Sequence, residues 1–399
     1  MPAPSPPTTA PTLTDGTVTL RTHREDDLPR MVEQCRDPLS VAWTTVPTPY
    51  GEADARTYGL EVLPQGWADG SEWAFAVEFE GRYAGTVSLR DEGPGRAELA
   101  YGSHPDVRGR GVILRACRLL VDWGFAELSL QTMVWRAFAG NWPSRRLAWR
   151  LGFRVEGTLR GYLPQRDEPR RDAWVGTLLR DDPRAPASTW LDVPVLHGDG
   201  FRLRPVSEAD VPRIQEGSAD PESQRWLGHI PAPYTLDDAR AYVEARRELA
   251  ASGKSVTWAI ADPEDDRLLG TVLWFNWTPE VECEVGYWVH PEARGRGLAT
   301  GATRLVVDHV FETLRVNRVT AFAAADNLAS RRVIEAAGFR LYGIERYGAW
   351  VRDDRVDMAL YDVTAAEWAE AGRRSTANAS ASTPKPASDS TAPMTSGER

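Results

Sequence analysis

The chain has 399 residues, of which 42% are hydrophobic and 26% charged, and its formal net charge is −10. That length accommodates two domains with separate cores, and the negative balance argues against a nucleic-acid partner while leaving small anionic ligands open. Cys35, Cys117 and Cys283 show no CxxC spacing and are odd in number, so neither a disulfide scaffold nor a structural metal is expected.

The opening MPAPSPPTTAPT lacks the basic start and apolar run of a signal peptide, and no window approaches the roughly 18 apolar residues of a membrane span. A cytoplasmic protein without a membrane partner is the expectation. Residues 1–14 read as a flexible arm, 15–180 as a first module, 181–195 as a linker and 196–364 as a second module. Residues 365–399 read as a helix end followed by a low-complexity tail.

Each module opens with a strand that turns into a helix, TVTLRTHREDD at 17–27 and FRLRPVSEADV at 201–211. A proline- and tyrosine-bearing loop follows, at Trp43–Tyr50 and Trp226–Tyr234, and leads into a helix. EWAFAVEFEGRYAGTVSLR at 72–90 reads as two strands around Gly81, and 255–275 reads as the same pair with a longer turn near Pro263. RAELAYGSH at 96–104 and ECEVGYWVH at 282–290 form the next strand. After it come a glycine-rich turn, an apolar helix, a short strand, a helix opened by Asn, and the closing strands. This order is mixed α+β and differs from the strict alternation of a dinucleotide fold.

The two modules are copies. HPDVRGRG at 104–111 returns as HPEARGRG at 290–297, and NWPSRRLAWRLGF at 141–153 returns as NLASRRVIEAAGF at 327–339, both displaced by 186 positions. A constant displacement over separated blocks marks a duplicated domain.

Three features point to chemistry. The turn Arg294-Gly295-Arg296-Gly297-Leu298-Ala299, mirrored by Arg108-Gly109-Arg110-Gly111, follows a strand and opens a helix. There, glycines let backbone N–H groups converge on a phosphate and arginines add charge. Asn327, Ser330 and Arg331, mirrored by Asn141 and its neighbours, suit a helix cap or a ligand beside the helix end. Glu284 and Glu98 lie within apolar strands just before each turn, where a carboxylate either accepts a proton or pairs with an arginine.

Taken together, these residues resemble the Gcn5-related N-acetyltransferases (GNAT), in particular the branch of ribosomal-protein N-terminal acetyltransferases. The resemblance spans nearly all of residues 15–364. It implies two tandem acyl-CoA N-acyltransferase folds, each a curved mixed sheet flanked by helices and splayed between two central strands. It further implies acetyl-CoA as cosubstrate, with its diphosphate on the amides of 295–299 and its pantetheine arm along the backbone of Trp288 and Val289. Asn327, Ser330 and Arg331 would stand near the thiol end. Glu284 (Glu98 in the first copy) would be the base, and the Val289 N–H would polarise the thioester.

The first copy departs from the pattern. Ile113 stands where the second has Ala299, and Gly102 stands where the second has Trp288. A branched side chain beside the turn is expected to crowd the first pocket, leaving the second module as the acetyl-CoA site. The tyrosine acid of many relatives is replaced by Ile334 and Ala148. The expected reaction is direct acetyl transfer to a primary amine, either a protein N-terminus or a small molecule. The alternative is a CoA-binding regulatory protein without turnover. A pseudo-dimeric monomer and a homodimer are both compatible with the duplication.

Overall fold

The computed structural model describes residues 7–166, 168–228 and 230–372; the first six residues of the expected arm and 373–399 of the expected tail lie outside the described residues. The chain divides into two compact units, Met1–Ser188 and Thr189–Arg399.

The first unit holds strands β1 (Leu13–Thr14), β2 (Val18–Arg21), β3 (Glu72–Phe79), β4 (Arg82–Asp91), β5 (Arg96–Ser103), β6 (Thr132–Phe138), β7 (Arg154–Gln165) and β8 (Glu168–Leu179), ordered 1-2-3-4-5-6-8-7. Its helices are α1 (Leu28–Arg36), α2 (Pro38–Trp43), α3 (Glu52–Arg56), α4 (Leu63–Asp69), α5 (Val112–Glu127) and α6 (Trp142–Leu151). The second unit repeats the plan with β9 (Leu196–Gly198), β10 (Phe201–Pro205), β11 (Val256–Ala261), β12 (Leu268–Thr278), β13 (Glu282–Val289), β14 (Arg318–Ala324), β15 (Arg340–Val351) and β16 (Asp354–Thr364). Its sheet order is 15-16-14-13-12-11-10-9, and its helices are α7 (Val211–Ala219), α8 (Pro221–Trp226), α9 (Leu236–Ala251), α10 (Leu298–Thr313) and α11 (Leu328–Ala337). Each unit is therefore a mixed α/β repeat of sheet and helices.

Local sequence explains the pieces that position the site. Glu80 and Gly81 both adopt positive φ, so a two-residue turn joins β3 to β4 with the twist a hairpin needs. In α10, Leu298, Ala302, Val306 and Val310 recur every fourth residue and are buried against the sheet with Val307. Full burial of such a side chain contributes about 1.5–3 kcal/mol, so a charge at Val306 would undo the seat of this helix.

One pair of strands in each sheet is parallel, and it is short. β13 pairs with β14 only from Glu282 to Glu284, although β13 continues to Val289 and β14 to Ala324. β5 pairs with β6 only from Arg96 to Leu99. Beyond those points the strands part. Among the described residues, no helix is long and apolar enough to cross a membrane.

Candidate functional site

The turn before α10 is built by two left-handed glycines, Gly295 at φ +75° and Gly297 at φ +74°. A Cβ at either would meet no protein atom within 4 Å, so the backbone, not crowding by the protein, selects glycine and the space above is open. Gly297 stands at the N-cap of the 16-residue α10, whose unpaired N–H groups and dipole favour an anion. The first copy has the same geometry, with Gly109 at +75° and Gly111 at +77°.

Ile113 does not crowd that first turn. Its side chain is buried in the core, and its Cδ1 would lie 2.9 Å from a Cβ placed on Gly85 of β4. The expectation failed because Ile113 stands on the helix face turned towards the sheet.

The arginines of the two turns differ in task. Arg294 donates to Asp220 at 2.6 Å and to Ser223, tying the turn to the start of α8. Arg108 does the same with Asp37 and Ser40. Both guanidinium groups thus hold the turn in place. Arg110 pairs with Glu80 at 2.7 Å, whereas Arg296 has no ion-pair partner among the described residues. Arg296 and Gly297 also border a groove of about 570 Å³ that follows α10 past Gly301 and Arg304 towards Phe201. That groove runs along the flank of α10 nearest the β9–β10 turn and meets the site only at its upper end.

Strand alternation decides which backbone groups line the splay. His290 N–H donates to Leu269 C=O, so the even-numbered residues of β13 bond to β12 and the odd-numbered ones face the side of β14. Val285, Tyr287 and Val289 therefore present N–H and C=O groups where β14 has turned away. Trp288, expected to share this task, is bonded to Thr271 of β12 instead; its position is even where the free positions are odd. Its ring packs against Val211, Ile214 and their neighbours on the α7–α9 side.

On the α10–α11 side the Asn327 side chain caps α11 by accepting from Ser330 N–H at 3.0 Å, as Asn141 does for Ser144. Tyr287 reaches across to Ser330, its hydroxyl 3.0 Å from both the carbonyl and the Oγ. Tyr101 makes the matching contacts with Ser144. Burial pushes the Tyr287 hydroxyl up to about 12. Arg331 turns inward, donating to the Tyr361 hydroxyl and the Ala325 carbonyl, so its guanidinium fastens α11 to β16.

Glu284 sits where β13 and β14 part, on the face opposite Tyr287. Its Oε2 accepts from Asn276 Nδ2 at 2.9 Å. Asn276 has φ +51° within an irregularity of β12 between Phe275 and Thr278, and this aims its amide across the strands. Burial raises the Glu284 carboxyl above the ordinary range, the Glu282 charge adds to that, and the Asn276 bond opposes it. Phe275 lies directly opposite on β12, and Phe322 stands two residues beyond Glu284's partner Thr320 on β14.

Glu98, expected as the first copy's base, is in another environment. Arg90 lies opposite it on β4, and Arg136 of β6 approaches its Oε1 at 3.3 Å. Arg136 is also held by Glu92. The carboxylate is part of an ion-pair network.

Sequence reasoning missed Asn276, Tyr287, Phe322 and Arg352. Arg352 donates to the carbonyls of Gln224 and Ile230, fastening the tip of the β15–β16 hairpin to α8 and to the loop after it. Arg166 makes the equivalent contacts with Val41 and Val46. Tyr101 and Tyr287, and Arg166 and Arg352, share the 186-residue displacement and were findable by it. Cys283 is buried core, its thiol pushed up to about 12 by burial.

Comparisons with known proteins identify the family. The model of the acetyltransferase (GNAT) domain family matches residues 17–154 and 201–340. The chain belongs to the acetyltransferase (GNAT) family and carries two copies of its domain. "Probable N-acetyltransferase YjcK" of Bacillus subtilis is 31% identical over 38% of this chain and 87% of its own length. The spermidine N(1)-acetyltransferase of Escherichia coli is 36% identical over 23% of this chain and half of its own length. Among solved structures, Mycobacterium smegmatis RimJ in complex with CoA-disulfide is 24% identical, covers 46% of this chain and 96% of its own, and has a TM-score of 0.40.

Proposed function

We propose that the second unit transfers acetyl from acetyl-CoA to a primary amine, with Glu284 as the base, and that the first unit does not catalyse transfer. The observation that carries this reading is the half-buried, raised carboxyl of Glu284, bonded by a neutral amide and standing at the mouth of an unpaired strand. The open turn fits the cosubstrate: the amides of Gly295–Ala299 would hold its diphosphate, aided by Arg296, while Asn327 and Ser330 flank its thiol end. The odd-numbered backbone of β13 would pair with its pantetheine arm like an added strand. The cosubstrate supplies the activated acetyl thioester.

Glu284 removes the proton of the incoming ammonium, directly or through one water. The amine then forms the C–N bond as the C–S bond breaks, and the departing thiolate takes the second proton from nitrogen, leaving the amide and CoA. The Val289 N–H, directed into the splay, stabilises the developing oxyanion, and orientation of the two reactants contributes the rest. Among the acceptors open to such a site are a protein N-terminus, as in the ribosomal-protein branch, and a small amine, as in the spermidine enzyme. The CoA-binding role without turnover suits the first unit, whose turn is intact while its carboxylate is paired.

The test is release of CoA from acetyl-CoA by the full chain across a panel of primary amines. Amine-dependent release together with acetylated amine in the mass spectrum is expected. CoA binding without amine-dependent release across the panel would overturn the reading.

A further inference from the structure

Resting on Glu284 as the base, we infer that the acceptor is a singly charged primary amine carrying an apolar group beside the nitrogen. A polyamine is the wrong match for this face. The inference comes from the sheet surface that Glu284 shares with its neighbours.

Paired residues of neighbouring strands project to the same side, so the face around Glu284 can be read from the register. Phe275 is its cross-strand neighbour, and Leu273 lies across from Gly286. A Cβ on Gly286 would sit 3.2 Å from Phe275 and 3.4 Å from Leu273, so that glycine keeps both side chains close over the strand. Phe322 comes next on β14 and is 37% exposed, and Leu360 of β16 stands opposite it. The face therefore presents Leu273, Phe275, Phe322 and Leu360 around one carboxylate.

Arg318 binds Glu282 and lies 3.5 Å from Asp362, so those two carboxylates already share a guanidinium, whereas Glu284 is bonded by a neutral amide. An extended polycation would bury uncompensated charge against two phenylalanines, whereas a single ammonium on an aryl or alkyl group satisfies Glu284 and covers the apolar surface. Free arylalkylamines and peptides with an apolar first residue share this chemistry. In the first unit the equivalent positions are Ser88, Arg90, Arg136 and Val175, and Arg171 fills the space between the rings of Trp43 and Phe138. That face presents nothing comparable.

The experiment is kcat/KM for the full chain at saturating acetyl-CoA with phenethylamine, ethanolamine, spermidine and two short peptides, one beginning with Phe and one with Gly. Phenethylamine or the Phe peptide is expected to exceed spermidine and ethanolamine by at least tenfold, and which of the two leads identifies the source. Phe322→Ala should raise KM for the apolar acceptor about tenfold and leave that for ethanolamine within about twofold. Phe275→Leu, which keeps the apolar volume, is the folding-safe companion and should lose less.

Spermidine or ethanolamine equal to or above both apolar acceptors would overturn the inference while leaving Glu284 as the base. Equal losses for all acceptors in Phe322→Ala would do the same. Absence of turnover with every amine would remove the underlying reading as well.

Discussion

Two carboxylates at equivalent places in the two units have opposite surroundings. Glu98 stands between Arg90 and Arg136, and Glu284 stands between Phe275 and Phe322. The turns that would hold a diphosphate are the same in both units to within a few degrees of φ. Duplication has therefore preserved the anion turn and the splay, and divergence is concentrated on the face where an acceptor would bind. A carboxylate between cations is tied up in ion pairs, whereas one in an apolar setting with a raised pKa is suited to exchanging a proton.

A second comparison shows how the cores tolerated this divergence. Gln34 and Gly102 of the first unit correspond to Gly217 and Trp288 of the second, and Trp135 and Gly176 correspond to Ala321 and Tyr361. In each contact a large side chain has moved to the opposite partner. A Cβ on Gly217 would be 2.6 Å from the Trp288 ring, and one on Gly102 would be 2.8 Å from Gln34 Nε2. Volume is nearly conserved between Trp135–Gly176 and Ala321–Tyr361, and it grows where Trp288 takes over from Gln34. The moved groups bond different partners: Trp135 Nε1 donates to the Tyr101 hydroxyl, and the Tyr361 hydroxyl accepts from Arg331.

The largest expected effect comes from converting the second face into the first. Phe322→Arg should bring a guanidinium to Glu284, hold its proton off to lower pH and reduce the acetylation rate about 100-fold. An unchanged rate in a folded Phe322→Arg protein would mean that the neighbour's charge is immaterial. Next, Gly297→Val places a β-branched residue at φ +74°, which costs about 1–3 kcal/mol and puts a side chain where an anion would sit. Acetyl-CoA affinity should fall tenfold or more by calorimetry, while Gly111→Val should leave amine-dependent turnover within about twofold.

Smaller again is the effect of Asn276→Ala. The base is active when deprotonated, so the rate rises as pH passes its pKa. Removing the donor that favours the carboxylate moves that limb to higher pH, so the loss is about two- to fourfold on the acidic limb and vanishes on the plateau. A limb that stays in place or moves down would contradict the assignment. The smallest effect is on stability. Gly217→Gln alone should destabilise by about 1–3 kcal/mol through its clash with Trp288, and the double change with Trp288→Gly should recover part of that loss in thermal unfolding.

Much of the fold was legible because it is written twice. The turn glycines, the Asn caps and the order of strands recur at one displacement, and local φ requirements explain them. The acid–base asymmetry was not legible. The residue that neutralises Glu98 is Arg136, on a strand reached only after a whole helix, and its loss at Phe322 reads in sequence as an ordinary exposed aromatic. The direction of Ile113 depended on which side of α5 meets the sheet, and a difference of one residue in helix phase turns a side chain by about 100°. Trp288 was named for its backbone, but strand alternation turns the backbone groups of Tyr287 and Val289 into the splay instead. Gly102 alone looked like a loss, and only its contact with Gln34 reveals an exchange.

The central claim is tested most directly by the pH–rate profiles of Glu284→Gln and Glu98→Gln measured side by side in the full chain with a common amine. The account predicts a loss of about 100-fold and disappearance of the acidic limb in Glu284→Gln, with acetyl-CoA affinity unchanged, and a profile close to the parent's in Glu98→Gln. Equal losses in the two variants, or a preserved limb in Glu284→Gln, would contradict it.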